Sequence, residues 1–183
     1  MTLASNEYWG ELRDADLLVS EQKVQLALQS LAARLNQQFS DQYPLVLAVM
    51  GGAVVFAGQL LPLLKFPLEF DYLQVSRYGD AQQGGELIWK VAPPAKVAGR
   101  IVLVVDDILD EGETMLAVRN RLLSLGASLV CSVVFAEKQR LRQVPIQADF
   151  VGLTVPDRFV FGYGMDLNSR WRNLPAIYAV KES

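Results

Sequence analysis

Residues 101–115 read IVLVVDDILDEGETM. The apolar run at 101–105 is short and rich in β-branched residues, as in a strand covered on both faces. Two aspartates follow, then an acidic turn containing Gly112, then TMLAVRNRLLSLGA, a helical pattern stopped at Gly126. A strand that passes through a polar turn into a helix is half of a strand–helix–strand unit. The stretch therefore predicts an α/β fold with a mainly parallel sheet.

Working outward, the same grammar repeats. Ser20 can cap a helix running to about Phe39, with Val24, Leu28, Leu31 and Leu35 along one stripe. LVLAVM (45–50) is a second short apolar strand, and GGAVVFAGQLLPLL reads as a glycine-rich turn feeding a helix. LEFDYLQV (68–75) alternates Leu68, Phe70 and Tyr72 on one side. RYGDAQQGGE (77–86) is a polar, glycine-rich loop, LIWKV a strand returning from it, and APPAKVAG a connector. LVCSVVFA is another buried strand, while DFVGLTV, RFVFGYG and AIYAV add three short strand-like pieces.

At 183 residues the chain reads as one domain. Hydrophobic residues make up 51%, charged residues 20%, and the net charge is -3. That balance gives no reason to expect nucleic acid or an anionic membrane as a partner, so any phosphate site must be local. Histidine is absent, which excludes Ser-His-Asp and Cys-His chemistry and histidine metal sites. The single cysteine, Cys131, cannot form an intrachain disulfide and reads as core filler. The start, MTLASNEYWGELRDADLL, lacks the basic-then-apolar pattern of a signal peptide, and no apolar run reaches about 18 residues. A cytoplasmic protein is expected.

Three readings compete for VVDDILDEGETM. The acids could simply favour a helix N-terminus. The strand could hold magnesium in the manner of a Walker B segment, but the glycine-rich turn GGAVVFAGQ lacks the lysine and hydroxyl of its partner motif. Third, Asp106 and Asp107 could accept hydrogen bonds from vicinal ribose hydroxyls, while the following turn cradles a phosphate on backbone amides and the helix dipole. Gly112 would let the backbone approach closely, and the Thr114 hydroxyl would add a donor.

On these residues the chain resembles the type I phosphoribosyltransferases, in particular their hypoxanthine-guanine branch. VVDDILDEGETM resembles the phosphoribosyl diphosphate (PRPP) motif, FAEK supplies Lys138, and PDRFVFGYGMDLNSRWR is similar to the purine-binding and closing segment. The resemblance runs from about Leu45 to Val180. It implies a mainly parallel twisted sheet core over about 40–148, and a small hood over about 149–183 together with N-terminal residues.

The resemblance also implies roles. Asp106 and Asp107 would bind the ribose hydroxyls, and Ile108, Leu109, Glu111, Gly112, Glu113 and Thr114 would complete the sugar-phosphate motif. Asp110 would stand beside purine N7 as general base or proton acceptor. Lys138 would donate to a 6-oxo group, Phe159 would stack on the base, and Val160 and Asp166 would offer backbone carbonyls. The Asp166 carboxylate would hold Mg2+, and Arg172 would grip pyrophosphate. Gly51 and Gly52 would form a pyrophosphate-binding turn, with a cis peptide at Val49-Met50. Ser76 and Tyr78 would belong to a loop that closes over the site.

The chain departs from the branch at several places, among them Asp106, where glutamate is usual, and Arg77, inserted between Ser76 and Tyr78. Met50 stands where Lys or Arg is common, Glu111 replaces a serine or threonine, and Glu113 adds a charge. Both glutamates oppose a bound phosphate unless they face solvent or meet a cation such as Arg119. The expected activity is transfer of 5-phosphoribosyl from PRPP to hypoxanthine or guanine, giving IMP or GMP, in a dimer or tetramer. A xanthine- or uracil-preferring relative and a non-catalytic nucleotide-binding regulator remain alternatives.

Overall fold

The computed structural model describes residues 4–77 and 87–182. Tyr78 and most of the expected closing loop lie outside the described residues. The elements in chain order are α1 (Ala4–Arg13), β1 (Asp16–Val19), α2 (Glu21–Phe39), β2 (Leu45–Met50), α3 (Val54–Leu60), β3 (Glu69–Arg77) and β4 (Leu87–Val91). Then follow β5 (Ile101–Leu109), α4 (Glu113–Ser124), β6 (Leu129–Lys138), β7 (Phe150–Val155), β8 (Val160–Phe161) and β9 (Ile177–Ala179). Six strands form one sheet in the order β4-β3-β2-β5-β6-β7, parallel throughout except for the β3–β4 hairpin.

The continuous apolar runs are explained by a core on each face. Along β2, Val46 and Ala48 pack with α2 and α3, whereas Leu45, Leu47 and Val49 pack with α4. On β5, Leu103 and Val105 face the first layer, Val102 and Val104 the second. Cys131 is buried within the first layer on β6. The predicted stripe of α2 is buried at Val24, Leu28, Leu31 and Leu35, and the Ser20 hydroxyl accepts from the Lys23 amide at 3.4 Å. On β3 the aromatic side of the alternation faces outward: Phe70 and Tyr72 are exposed, and Leu73 is the residue in the core.

The hood is a three-stranded antiparallel sheet, β1-β9-β8, so the N-terminal segment does contribute to it. Its boundary differs from the one expected near 149. Strand β7 pairs in parallel with β6 and belongs to the core sheet, and the chain leaves that sheet only after Val155. Arg158 ties hood and N-terminus together, donating to Asp16 Oδ2 at 2.6 Å and to the Val180 carbonyl at 2.9 Å. Among the described residues no helix is long and apolar enough to cross a membrane.

Candidate active site

The site begins where β5 outruns its apolar stretch. Asp106, Ile108 and Leu109 still pair with Val134, Ala136 and Glu137 of β6, so both aspartates are held by sheet geometry. Each carboxylate also accepts from the next backbone amide, Asp106 from Asp107 at 3.0 Å and Asp107 from Ile108 at 2.8 Å. Gly112 caps α4 with φ 87, a left-handed conformation that favours glycine. A Cβ there would lie 2.3 Å from Ile146 Cγ2, so space also demands glycine. A cleft of about 350 Å³ opens over this junction, lined by Asp106 through Gly112 together with Thr114 and Met115. Leu109 borders it although the residue is buried in the core. Glu113 does not line this cleft and stands instead in the first turn of α4.

Burial drives the Asp106 carboxyl well above the ordinary carboxylate range, and the neighbouring Asp107 charge pushes the same way. Asp107 is raised too, by burial first, with the hydrogen bond from Asp106 and the charge of Arg172 among the opposing causes. The two acids therefore resist being charged together. A raised folded-state carboxyl stabilises the fold most below its ordinary value of 3.8, and that contribution is lost as pH climbs through the raised value. Asp106→Asn keeps an oxygen for the Asp107 amide and removes the titration. Thermal unfolding from pH 4 to pH 8 should thus show a flatter decline for the variant than for the parent. Parallel curves would remove burial of this charge as a source of instability.

Asp110 closes the same turn within a cluster of cations. Lys138 Nζ donates to its Oδ2 at 2.6 Å and Arg140 Nη1 to its Oδ1 at 2.8 Å. Arg142 clamps the ends of β5 and β6 together, donating to the carbonyls of Asp110 (2.7 Å), Leu109 (3.2 Å) and Lys138 (3.0 Å). Arg140 and Arg142 belong to KQRLR (138–142), a basic stretch whose sequence alone assigns them no role. They act from an irregular segment after β6, where no periodicity marks direction. Arg119, the cation expected to meet a glutamate of the turn, pairs with Asp149 at 3.7 Å. The guanidinium near Glu111 is that of Arg140, at 3.9 Å.

The opposite wall comes from the turn after β2 and from the hood. The cis peptide falls at Met50-Gly51, one bond later than the expected Val49-Met50 and just past the last paired residue of β2. Met50 itself packs against the core. A Cβ on Gly52 would lie 2.1 Å from Asp107 Oδ2, and one on Gly164 would lie 2.2 Å from the Gly52 carbonyl oxygen. Three chain segments therefore meet at van der Waals distance through two glycines. Between them a second cleft of about 320 Å³ collects Gly52, Asp107, Asp110, Lys138, Phe159, Val160, Asp166 and Arg172. Phe159 is 57% exposed, so its ring is available to a ligand, whereas Val160 is 7% exposed and offers mainly its backbone. Arg172 donates to the Gly164 carbonyl at 2.7 Å and to Asp166 Oδ1 at 2.5 Å, and the Ser169 amide holds Asp166 Oδ2 at 2.8 Å. Gly51 and Ser76 line neither cleft. Among the described residues no three His, Cys, Asp or Glu side chains come together as a metal cage.

Comparison with known proteins bears on this arrangement. The family model described as "Phosphoribosyl transferase domain" matches residues 15–169. The hypoxanthine-guanine phosphoribosyltransferase of Bacillus subtilis is 36% identical over 166 residues, covering 90% of this chain and 92% of that protein. The hypoxanthine-guanine-xanthine phosphoribosyltransferase of Tritrichomonas foetus is 37% identical over 170 residues, covering 91% and 92%. A solved structure of a hypoxanthine-guanine phosphoribosyltransferase from Bacillus anthracis matches with a TM-score of 0.85 at 30% identity, covering 91% of this chain and 98% of that one.

Proposed function

The chain belongs to the phosphoribosyl transferase family, and we propose that it serves purine salvage. In this reading it transfers the 5-phosphoribosyl group of PRPP to hypoxanthine or guanine, giving IMP or GMP and pyrophosphate. One observation carries the reading. The turn after β5 borders two clefts that share Asp107, Ile108 and Asp110, one over the acids and the 110–114 turn, the other holding Lys138, Phe159 and Arg172.

The 5-phosphate rests on the amides of the 110–114 turn at the N-terminus of α4. The ribose hydroxyls donate to Asp106 and Asp107, whose poorly solvated carboxylates gain from such donors. The base enters between Phe159 and Lys138. Lys138 Nζ leaves Asp110 to donate to the 6-oxo group, whereas the 6-amino group of adenine offers it no acceptor. Purine N9 attacks C1 as the C1–O bond breaks, and the bonding pair departs with pyrophosphate. The proton that the base loses passes from N7 to Asp110, with Arg140 still on its other oxygen. The carboxylates beneath the sugar oppose the positive charge that develops at C1. Arg172 offers a planar donor pair to the leaving pyrophosphate.

Mg2+ fits as an ion that arrives with PRPP, which it would serve by neutralising the leaving pyrophosphate. The carboxylates of Asp107 and Asp166 line the cleft. One or two carboxylates plus phosphate oxygens are the usual setting for this cation. A homo-oligomer and a cytoplasmic location belong to the same reading, and light scattering of the purified protein checks the former.

The test is a product assay with PRPP, Mg2+ and five bases: hypoxanthine, guanine, xanthine, adenine and uracil. Turnover of hypoxanthine or guanine is expected, with adenine slower by about 10⁴-fold or more. Comparable use of adenine would overturn the role of Lys138. Nucleotide binding without turnover of any base would instead favour a regulator with the same fold.

A further inference from the structure

Helix α1 precedes the region matched by the family model, and no step above uses it. It is nevertheless clamped to the hood by one carboxylate. Glu11 Oε2 accepts from the Trp171 indole N–H at 2.7 Å and from Arg170 Nε at 3.3 Å. Glu11 Oε1 accepts from Arg170 Nη2 and, at 3.2 Å, from the Asn168 side-chain amide. Two aromatic contacts flank the clamp. The Tyr8 ring lies 4.4 Å from the Arg170 guanidinium carbon, and the Trp9 and Trp171 rings are 5.4 Å apart.

The gripped segment is an unusual one. Asn168, Ser169 and Trp171 all have positive φ, at 52, 65 and 71°. Side chains other than glycine rarely hold that conformation without surrounding contacts that enforce it. The segment is also the span between Asp166 and Arg172, which bond to each other, and its Ser169 amide fixes the second Asp166 oxygen. Holding 168–171 in place therefore sets both side chains assigned to the pyrophosphate end of the cleft.

We propose that Glu11 is a positioning residue for pyrophosphate binding, acting from α1 through the 168–171 segment on Asp166 and Arg172. This rests on the site reading above. The hydrogen bonds from Arg170 and Trp171 hold the Glu11 carboxyl at about 2, so the clamp is charged throughout the neutral range.

The experiment uses the full chain carrying Glu11→Gln, Arg170→Gln or both. Affinities for pyrophosphate with Mg2+, and separately for IMP, are read by titration calorimetry, with thermal unfolding alongside. Each single variant should weaken pyrophosphate binding by about 10- to 100-fold, the usual cost of removing a partner that orients a ligand-binding group. IMP affinity should change by less than about threefold, and the double variant should lose less than the sum of the singles because both break the Glu11–Arg170 pair. Unchanged pyrophosphate affinity would overturn the proposal, and so would equal losses for both ligands that track the fall in Tm. If the parent protein bound IMP but not pyrophosphate, the assignment of Asp166 and Arg172 would fail and this inference with it.

Discussion

Replacing Asp110 with asparagine should lower kcat by about 10²- to 10⁴-fold, the usual contribution of a positioned proton acceptor. The asparagine side chain would retain one carbonyl oxygen and a similar size, so the fold and the PRPP cleft should survive. It could not take a proton from the base, and its amide would stand where Lys138 and Arg140 now find carboxylate oxygens at 2.6 and 2.8 Å. Steady-state kinetics with hypoxanthine should show the loss in kcat, with KM for PRPP changed much less. A variant within about threefold of the parent would remove Asp110 from the chemistry. An unchanged nucleotide affinity with no turnover in either protein would point to the regulator instead.

Gly52→Ala should damage both the fold and the site. The added Cβ would sit 2.1 Å from Asp107 Oδ2, 2.5 Å from Cγ and 2.7 Å from Oδ1. Asp107 cannot simply swing away, being 8% exposed and bonded to the Ile108 amide. Nor can the turn retreat easily, because Gly164 packs against the Gly52 carbonyl. Overpacking of this kind costs about 1–3 kcal/mol, which for a chain of this size lowers Tm by roughly 2 to 12 °C. The displaced carboxylate should also raise KM for PRPP by about tenfold or more, given that a misplacement near 1 Å can cost about 10². Gly58→Ala is the control. Gly58 lies in α3, and a Cβ there meets nothing within 4 Å. That change should leave KM alone and raise stability by about 0.4–1 kcal/mol. Equal behaviour of the two variants would show that the Gly52–Asp107 contact has no functional weight.

What the sequence revealed divides along the range of the interactions. Strands β2, β5 and β6 were legible because both faces are covered, which forces continuous apolar runs, and α2 because its buried stripe follows helical spacing. The Asp106–Thr114 segment was legible because its acids, glycine and hydroxyl lie within one turn of chain. Features set by distant partners were not. FVGLTV has the same pattern whether it joins core or hood, and only its pairing with β6 decides. The short DLLV strand could not be read either, as its partner β9 lies at the other end of the chain. Arg140, Arg142 and Glu11 acquire their roles from contacts across 30 or more residues, which spacing does not encode. The cis bond, placed at Val49-Met50 on the resemblance alone, falls one peptide later, at Met50-Gly51.

The most direct test is a crystal structure of the protein soaked with IMP. The phosphate should lie on the amides of the 110–114 turn, the ribose hydroxyls on Asp106 and Asp107, and the base against Phe159 with its 6-oxo group on Lys138. A nucleotide bound elsewhere on the molecule, or a Lys138 that keeps its bond to Asp110 while the base faces another donor, would contradict the account.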